Sequence, residues 1–155
     1  MSKALKLEFE FVRSRLFKSI EATEPEILDI QPKGFNNTIH WHIGHILTIS
    51  ENFLFEGKTQ IPENYKEFFG GGTKPSDWSS KEVPSVETLL NQLKEQLKRI
   101  EEIPTERFEE VLPEPKFGAS TFGELVSFTA YHESFHYGQI HTMKRLIATS
   151  VVESK

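Results

Sequence analysis

The stretch from Thr121 to about Thr149 reads as one long helix, and it sets two histidines on the face that must point into a core. Thr121 and Glu124 have the spacing of a capping box, in which the hydroxyl accepts a backbone N–H and the carboxylate reaches back. From there Leu125, Thr129, His132, His136, Gln139, Met143 and Leu146 repeat at helical intervals and define the inward stripe. Residues four apart stand one turn above each other on the same face, so the rings of His132 and His136 can reach one point. Two imidazoles placed in this way either hold a metal ion between them or are core histidines satisfied by hydrogen bonds.

The rest of the chain supplies three more helical segments. Ser2 to about Ala22 carries Leu5, Phe9, Val12, Leu16 and Ile20 at steps of three and four, and Lys6, Glu10, Arg13 and Lys18 read as its solvated face. Pro25 and Pro32-Lys33-Gly34 close it. A second helix starts near Asn36-Asn37-Thr38 and ends by Gly57, with Ile39, Ile43, Ile46, Leu47, Phe53 and Leu54 on its apolar face. It also carries His40, His42 and His45; the helical wheel turns His42 inward, sets His45 at the edge and leaves His40 partly exposed. Gly44, inside this helix, marks a place of close approach, because a mid-helix glycine costs about 1 kcal/mol relative to alanine. Lys58 to Pro84 is a long connection with at most one helical turn, anchored by Phe68, Phe69 and Trp78. Ser85 to Ile103 is the third helix, and Thr105 to Ser120, interrupted by Pro113 and Pro115, is a second connection. Without a strand pattern, these segments predict one all-α domain over residues 1–155, a four-helix bundle with its long connection between helices two and three.

Composition excludes some classes. The net charge is −5 with no dense basic cluster, which disfavours nucleic acid as a partner. The chain has no cysteine, so disulfides, thiolate metal ligands and a protein thiol nucleophile are all excluded, and a reducing cytoplasmic setting is expected. The first ten residues carry charges throughout and lack the apolar core of a signal peptide. No run is apolar for long enough to predict a membrane span.

His132-Glu133-Ser134-Phe135-His136 also fits H-E-x-x-H, in which two histidines bind zinc and the glutamate is the general base of a protease. The extended form of that motif would need a third histidine at position 142, which is Thr142. A broader pattern fits better. Trp41-His42-Ile43-Gly44-His45 in the second helix, followed by His132-x-x-x-His136-x-Gly138-Gln139-Ile140, resembles the DinB/YfiT-like superfamily over nearly the whole chain. The Phe69-Gly70-Gly71-Gly72 loop with Pro75-Ser76-Asp77, and Phe122-Gly123-Glu124-Leu125 at the start of the last helix, add to the likeness.

The resemblance implies a four-helix bundle in which His45, His132 and His136 bind one divalent transition metal, with zinc as the default and nickel or iron equally suited to imidazole. It chooses His45 where the wheel chooses His42. Some relatives are S-transferases that join a small-molecule thiol, such as bacillithiol or mycothiol, to an electrophile. Others carry only the label of metal-dependent hydrolase, which implies a small hydrolysable substrate and metal-activated water. A non-catalytic metal- or ligand-binding bundle is the third class, and pairing into a homodimer is a further expectation. In the transferase reading Glu133 is not needed as a base and touches a neighbouring helix or an imidazole N–H instead.

Overall fold

A hydroxyl caps each helix start where the sequence offers one. In the computed structural model, which describes residues 2–78 and 82–153 with side chains through 150, Thr38 accepts from the Trp41 amide and Ser85 from the Thr88 amide. The Thr121–Glu124 box is reciprocal: Glu124 N donates to Thr121 Oγ1 at 3.2 Å, and Glu124 Oε2 accepts from the amides of Ser120 and Thr121 at 2.6 and 3.0 Å. The helices that follow are α1 (Ser2–Glu21), α2 (Ile39–Leu54), the short α3 (Tyr65–Phe69), α4 (Val86–Glu101) and α5 (Phe122–Glu153). Positions 79–81, in the connection before α4, lie outside the described residues.

The four long helices form the bundle, with α4 and α5 each packed against both α1 and α2. Two apolar clusters fill it. One gathers Leu16, Ile43, Leu47, Phe69, Leu93 and Met143; the other gathers Leu5, Phe9, Leu54, Ile100, Phe122 and Val126. Between them in chain order on all four helices lies a polar layer of Arg13, Ser50, Glu51, Gln96 and Glu133, each buried. Arg13 thus departs from the expected solvated face: it is fully buried on the stripe of Phe9, Leu16 and Ile20. Leu146 departs in the other direction, being 43% exposed, while Ile147 takes the inward position.

The second connection is not a simple loop. Val111–Lys116 (β1) and Ala119–Thr121 (β2) form an antiparallel hairpin with an irregular register. Its prolines, Pro113 and Pro115, are tolerated because a two-stranded ribbon leaves each strand an edge that needs no amide donor. The hairpin packs against the start of α5, where Phe108 meets Phe122 edge to face. Among the described residues no helix is long and apolar enough to cross a membrane.

Candidate metal centre

Helices α2 and α5 pack against each other, and the site sits between them. His45 Nε2 lies 3.2 Å from His132 Nε2, which lies 3.0 Å from His136 Nε2. One ligand atom from each of the three falls within 4.8 Å of the others. His45 is held from behind, because its Nδ1 is 2.6 Å from the Phe69 carbonyl oxygen. A carbonyl only accepts, so Nδ1 carries the hydrogen and Nε2 turns a bare lone pair toward the other two rings. Lone pairs converging at this range repel unless a proton or a cation lies between them. Nitrogens at about 2.0–2.1 Å from a tetrahedral ion are about 3.3–3.4 Å apart, so the observed spacing needs little adjustment to fit one.

The surroundings keep these rings neutral. Burial, followed by the neighbouring imidazoles, lowers His136 to about 2. Burial and the nearby His132 lower His45 to about 4, against the opposing effect of the Phe69 carbonyl. Burial also lowers His132. A neutral imidazole is the form that binds metal. Protons taken up by the unfolded chain, whose histidines titrate near 6.5, do not enter these folded rings until lower pH. Stability of the metal-free protein is therefore complete above about pH 6.5 and declines as pH falls below it. The Tm of chelator-treated protein is expected to drop between about pH 6.5 and pH 5, before most carboxylates titrate. A flat Tm across that interval contradicts the burial of these rings.

The remaining histidines have separate tasks. His42 is fully buried, as the wheel anticipates, but it lies behind the cluster, with its Nδ1 2.9 Å from His136 Nδ1. Burial and then His45 lower it to about 3, so it is a neutral partner able to accept the His136 Nδ1 hydrogen. That tautomer leaves His136 Nε2 free for an ion. His40 is buried rather than partly exposed. Its Nδ1 is 2.8 Å from Asp29 Oδ1 and its Nε2 is 2.8 Å from the Pro84 oxygen, which ties the start of α2 to the segments before α2 and α4. His141 is exposed.

Two features of the sequence pattern gain a physical reason. Trp41 stacks on the His45 ring one turn away, 4.5 Å between centroids and 14° between planes, and its Nε1 donates to Thr73 Oγ1 in the long connection. At Gly44 an added Cβ would sit 2.3 Å from Phe69 Cδ1. The missing side chain lets Phe69 lie flat on α2 and so aims its carbonyl at His45. Gly44→Ala is expected to lower stability by about 1–3 kcal/mol through overpacking, and to weaken metal binding as Phe69 shifts. Denaturation and metal titration of the variant check both; unchanged stability contradicts the packing account.

Glu133 does not face the centre. Its Oε1 accepts from Arg13 Nη2 at 2.6 Å and Ser50 Oγ at 2.7 Å, and its Oε2 accepts from Arg13 Nε at 2.9 Å. It therefore touches neighbouring helices, and it is not disposed as the base of a zinc protease. Arg13, Ser50 and Gln96 were not legible as partners from spacing, although Arg13 and Gln96 both fall on buried stripes. Cavities of about 650 Å³ beside His40 and about 460 Å³ beneath the hairpin are not lined by the three converging histidines, so cavity size does not mark the chemistry.

A family model described as the DinB superfamily matches residues 8–140, a span that contains α2 and both His132 and His136 of α5. The chain belongs to the DinB superfamily. No curated protein matches it. Membership accounts for the helical fold, and the buried three-histidine group of this DinB-superfamily chain is able to hold a metal ion.

Proposed function

We propose that this chain is a metal-dependent enzyme that joins a low-molecular-weight thiol to a small electrophile, with His45, His132 and His136 holding one divalent transition metal. Three neutral imidazoles leave an ion its full positive charge and at least one open position, and zinc, nickel and iron all suit them. When bound, the ion supplies Lewis acidity that favours the ionised form of a coordinated thiol or water.

The observation that carries the choice of thiol over water is the engagement of Glu133 with Arg13 and Ser50. A positioned general base is worth roughly 10²–10⁴-fold to a hydrolase, and the carboxylate of the H-E-x-x-H stretch is turned away. A thiol, ionising near 8.5, needs less assistance than water. The protein contributes no cysteine, so the sulfur arrives with the substrate. The sulfur–carbon bond forms as the thiol proton passes to solvent and the electrophile's leaving group departs. Around that step the chain's residues position: Phe69 and Trp41 hold His45, and His42 holds His136. Small thiols are kept reduced in the cytosol, where we place the protein.

The test supplies bacillithiol, mycothiol or glutathione with monobromobimane to metal-loaded protein. Metal-dependent conjugation that disappears in His136→Ala is expected. Ester or amide turnover without added thiol supports the hydrolase instead, and bound metal with neither activity supports a binding bundle. We also propose a homodimer, since twofold pairs are the commonest soluble oligomers; light scattering at 17.9 kDa across micromolar concentrations contradicts it.

A further inference from the structure

The turn between β1 and β2 breaks a local rule. Phe117 and Gly118 have φ of 53° and 83°, the signature of a two-residue hairpin turn that asparagine and glycine favour. A bulky residue at positive φ is strained, and Phe117 is 65% exposed, its ring resting on Phe53 of α2 at 5.1 Å between centroids and on Phe128 of α5 rather than in the core. Lys116 Nζ, 2.6 Å from Glu56 Oε2, pins the turn to the end of α2. The Phe117 ring lies flat on Phe128, with centroids 4.7 Å apart and planes within 3°. Those contacts hold the turn against α2 and α5, and strain kept at so exposed a ring points toward a function beside packing.

The position of the stack indicates which function. Phe128 stands one turn before His132 on α5, about 6 Å along the axis. Beyond it Tyr131 and Phe135 continue the row, at centroid spacings of 6.1 and 6.4 Å. Phe135 then meets the His136 ring edge-on at 5.4 Å. Tyr131 and Phe135 are 63% and 51% exposed, so an open line of rings leads from the hairpin tip to the histidine cluster.

We propose that Phe117 and Phe128 form a shelf that seats the flat aromatic part of the substrate, with its reacting atom at the three-histidine centre. The distance from Phe128 to His132 suits a substrate of one or two fused rings joined to a reactive carbon. A second copy of the chain laid on this row would cover His132, the least buried member of the cluster, which favours a small molecule as the occupant. Calling that substrate an electrophile rests on the transferase reading; the aromatic seat does not.

Phe117→Asn separates the two roles, because asparagine suits the turn but removes the ring. The probe is anilinonaphthalene sulfonate, titrated by fluorescence against metal-loaded and metal-free protein, with Phe11→Asn on an exposed position of α1 as the control. Phe117→Asn is expected to keep the metal content, to keep or raise the Tm, and to weaken probe binding roughly tenfold; Phe11→Asn leaves probe affinity as in wild type. If conjugation is observed, KM for monobromobimane rises in Phe117→Asn while that for iodoacetamide, which has no ring, stays within about twofold. If conjugation is not observed, the transferase reading fails and the probe titration still decides the shelf. Unchanged probe affinity, a marked fall in Tm, or a wild-type dimer that dissociates on Phe117→Asn overturns the proposal.

Discussion

Arg13→Met is expected to destabilise the bundle by about 3–5 kcal/mol, because it leaves Glu133 as an uncompensated charge in the core. For a chain of this size that corresponds to a Tm lowered by roughly 6–20 °C. Arg13 is fully buried and bonds directly to two other helices, reaching α2 through their side chains. It donates to Glu133 on α5, to the Leu93 carbonyl at 2.7 Å and to Gln96 Oε1 at 2.6 Å on α4. Gln96 Nε2 in turn donates to Glu51 Oε2 on α2 at 2.6 Å, and Arg99 reaches Glu51 Oε1 at 2.7 Å. Glu133→Gln is destabilising for the reciprocal reason, since the guanidinium then lacks its countercharge. The double variant Arg13→Met with Glu133→Leu recovers much of the loss, as replacement of a buried pair by apolar groups often does. Urea denaturation with chelator present, which removes any contribution from metal, measures all three. An Arg13→Met loss under about 1 kcal/mol, the range of an exposed pair, contradicts the account.

The largest effect on binding is expected at the histidines. His45→Ala, His132→Ala and His136→Ala should each weaken metal affinity by more than the roughly 10–100-fold that loss of an outer partner costs. His42→Ala should fall within that range, because it removes the acceptor behind His136 and leaves the three facing nitrogens. Competition against a chelator of known affinity ranks the four variants. If His42→Ala is as damaging as His45→Ala, the helical wheel identified the ligand and the family pattern did not.

Local signals explain what was legible in the sequence. Thr38, Ser85 and the Thr121–Glu124 pair start their helices as their hydroxyls and spacing imply, because a cap is decided within four residues. His132 and His136 meet for the same reason, sharing one helix at i and i+4. His45 was harder, because which side of α2 faces α5 is a tertiary fact. Both His42 and His45 prove to be buried, and what separates them is the atom of α5 each reaches, His42 the Nδ1 of His136 and His45 the Nε2 of His132. Arg13 departs from expectation because a charge by itself points to the solvated face, whereas its place on the Phe9–Leu16–Ile20 stripe points inward. The hairpin was hidden by Pro113 and Pro115, which argue against a strand, and by Phe117 in a turn position that usually holds asparagine. The carbonyl of Phe69 behind His45 carries no side-chain signal at all.

The central claim is that the three converging nitrogens bind a metal ion. Elemental analysis of untagged protein, purified without added metal or chelator, tests it most directly. The account predicts about one divalent transition-metal ion per chain by the three-imidazole argument, and its loss from His132→Ala and His136→Ala. Wild-type protein that purifies without metal and fails to take up zinc, nickel or iron at micromolar concentration contradicts it.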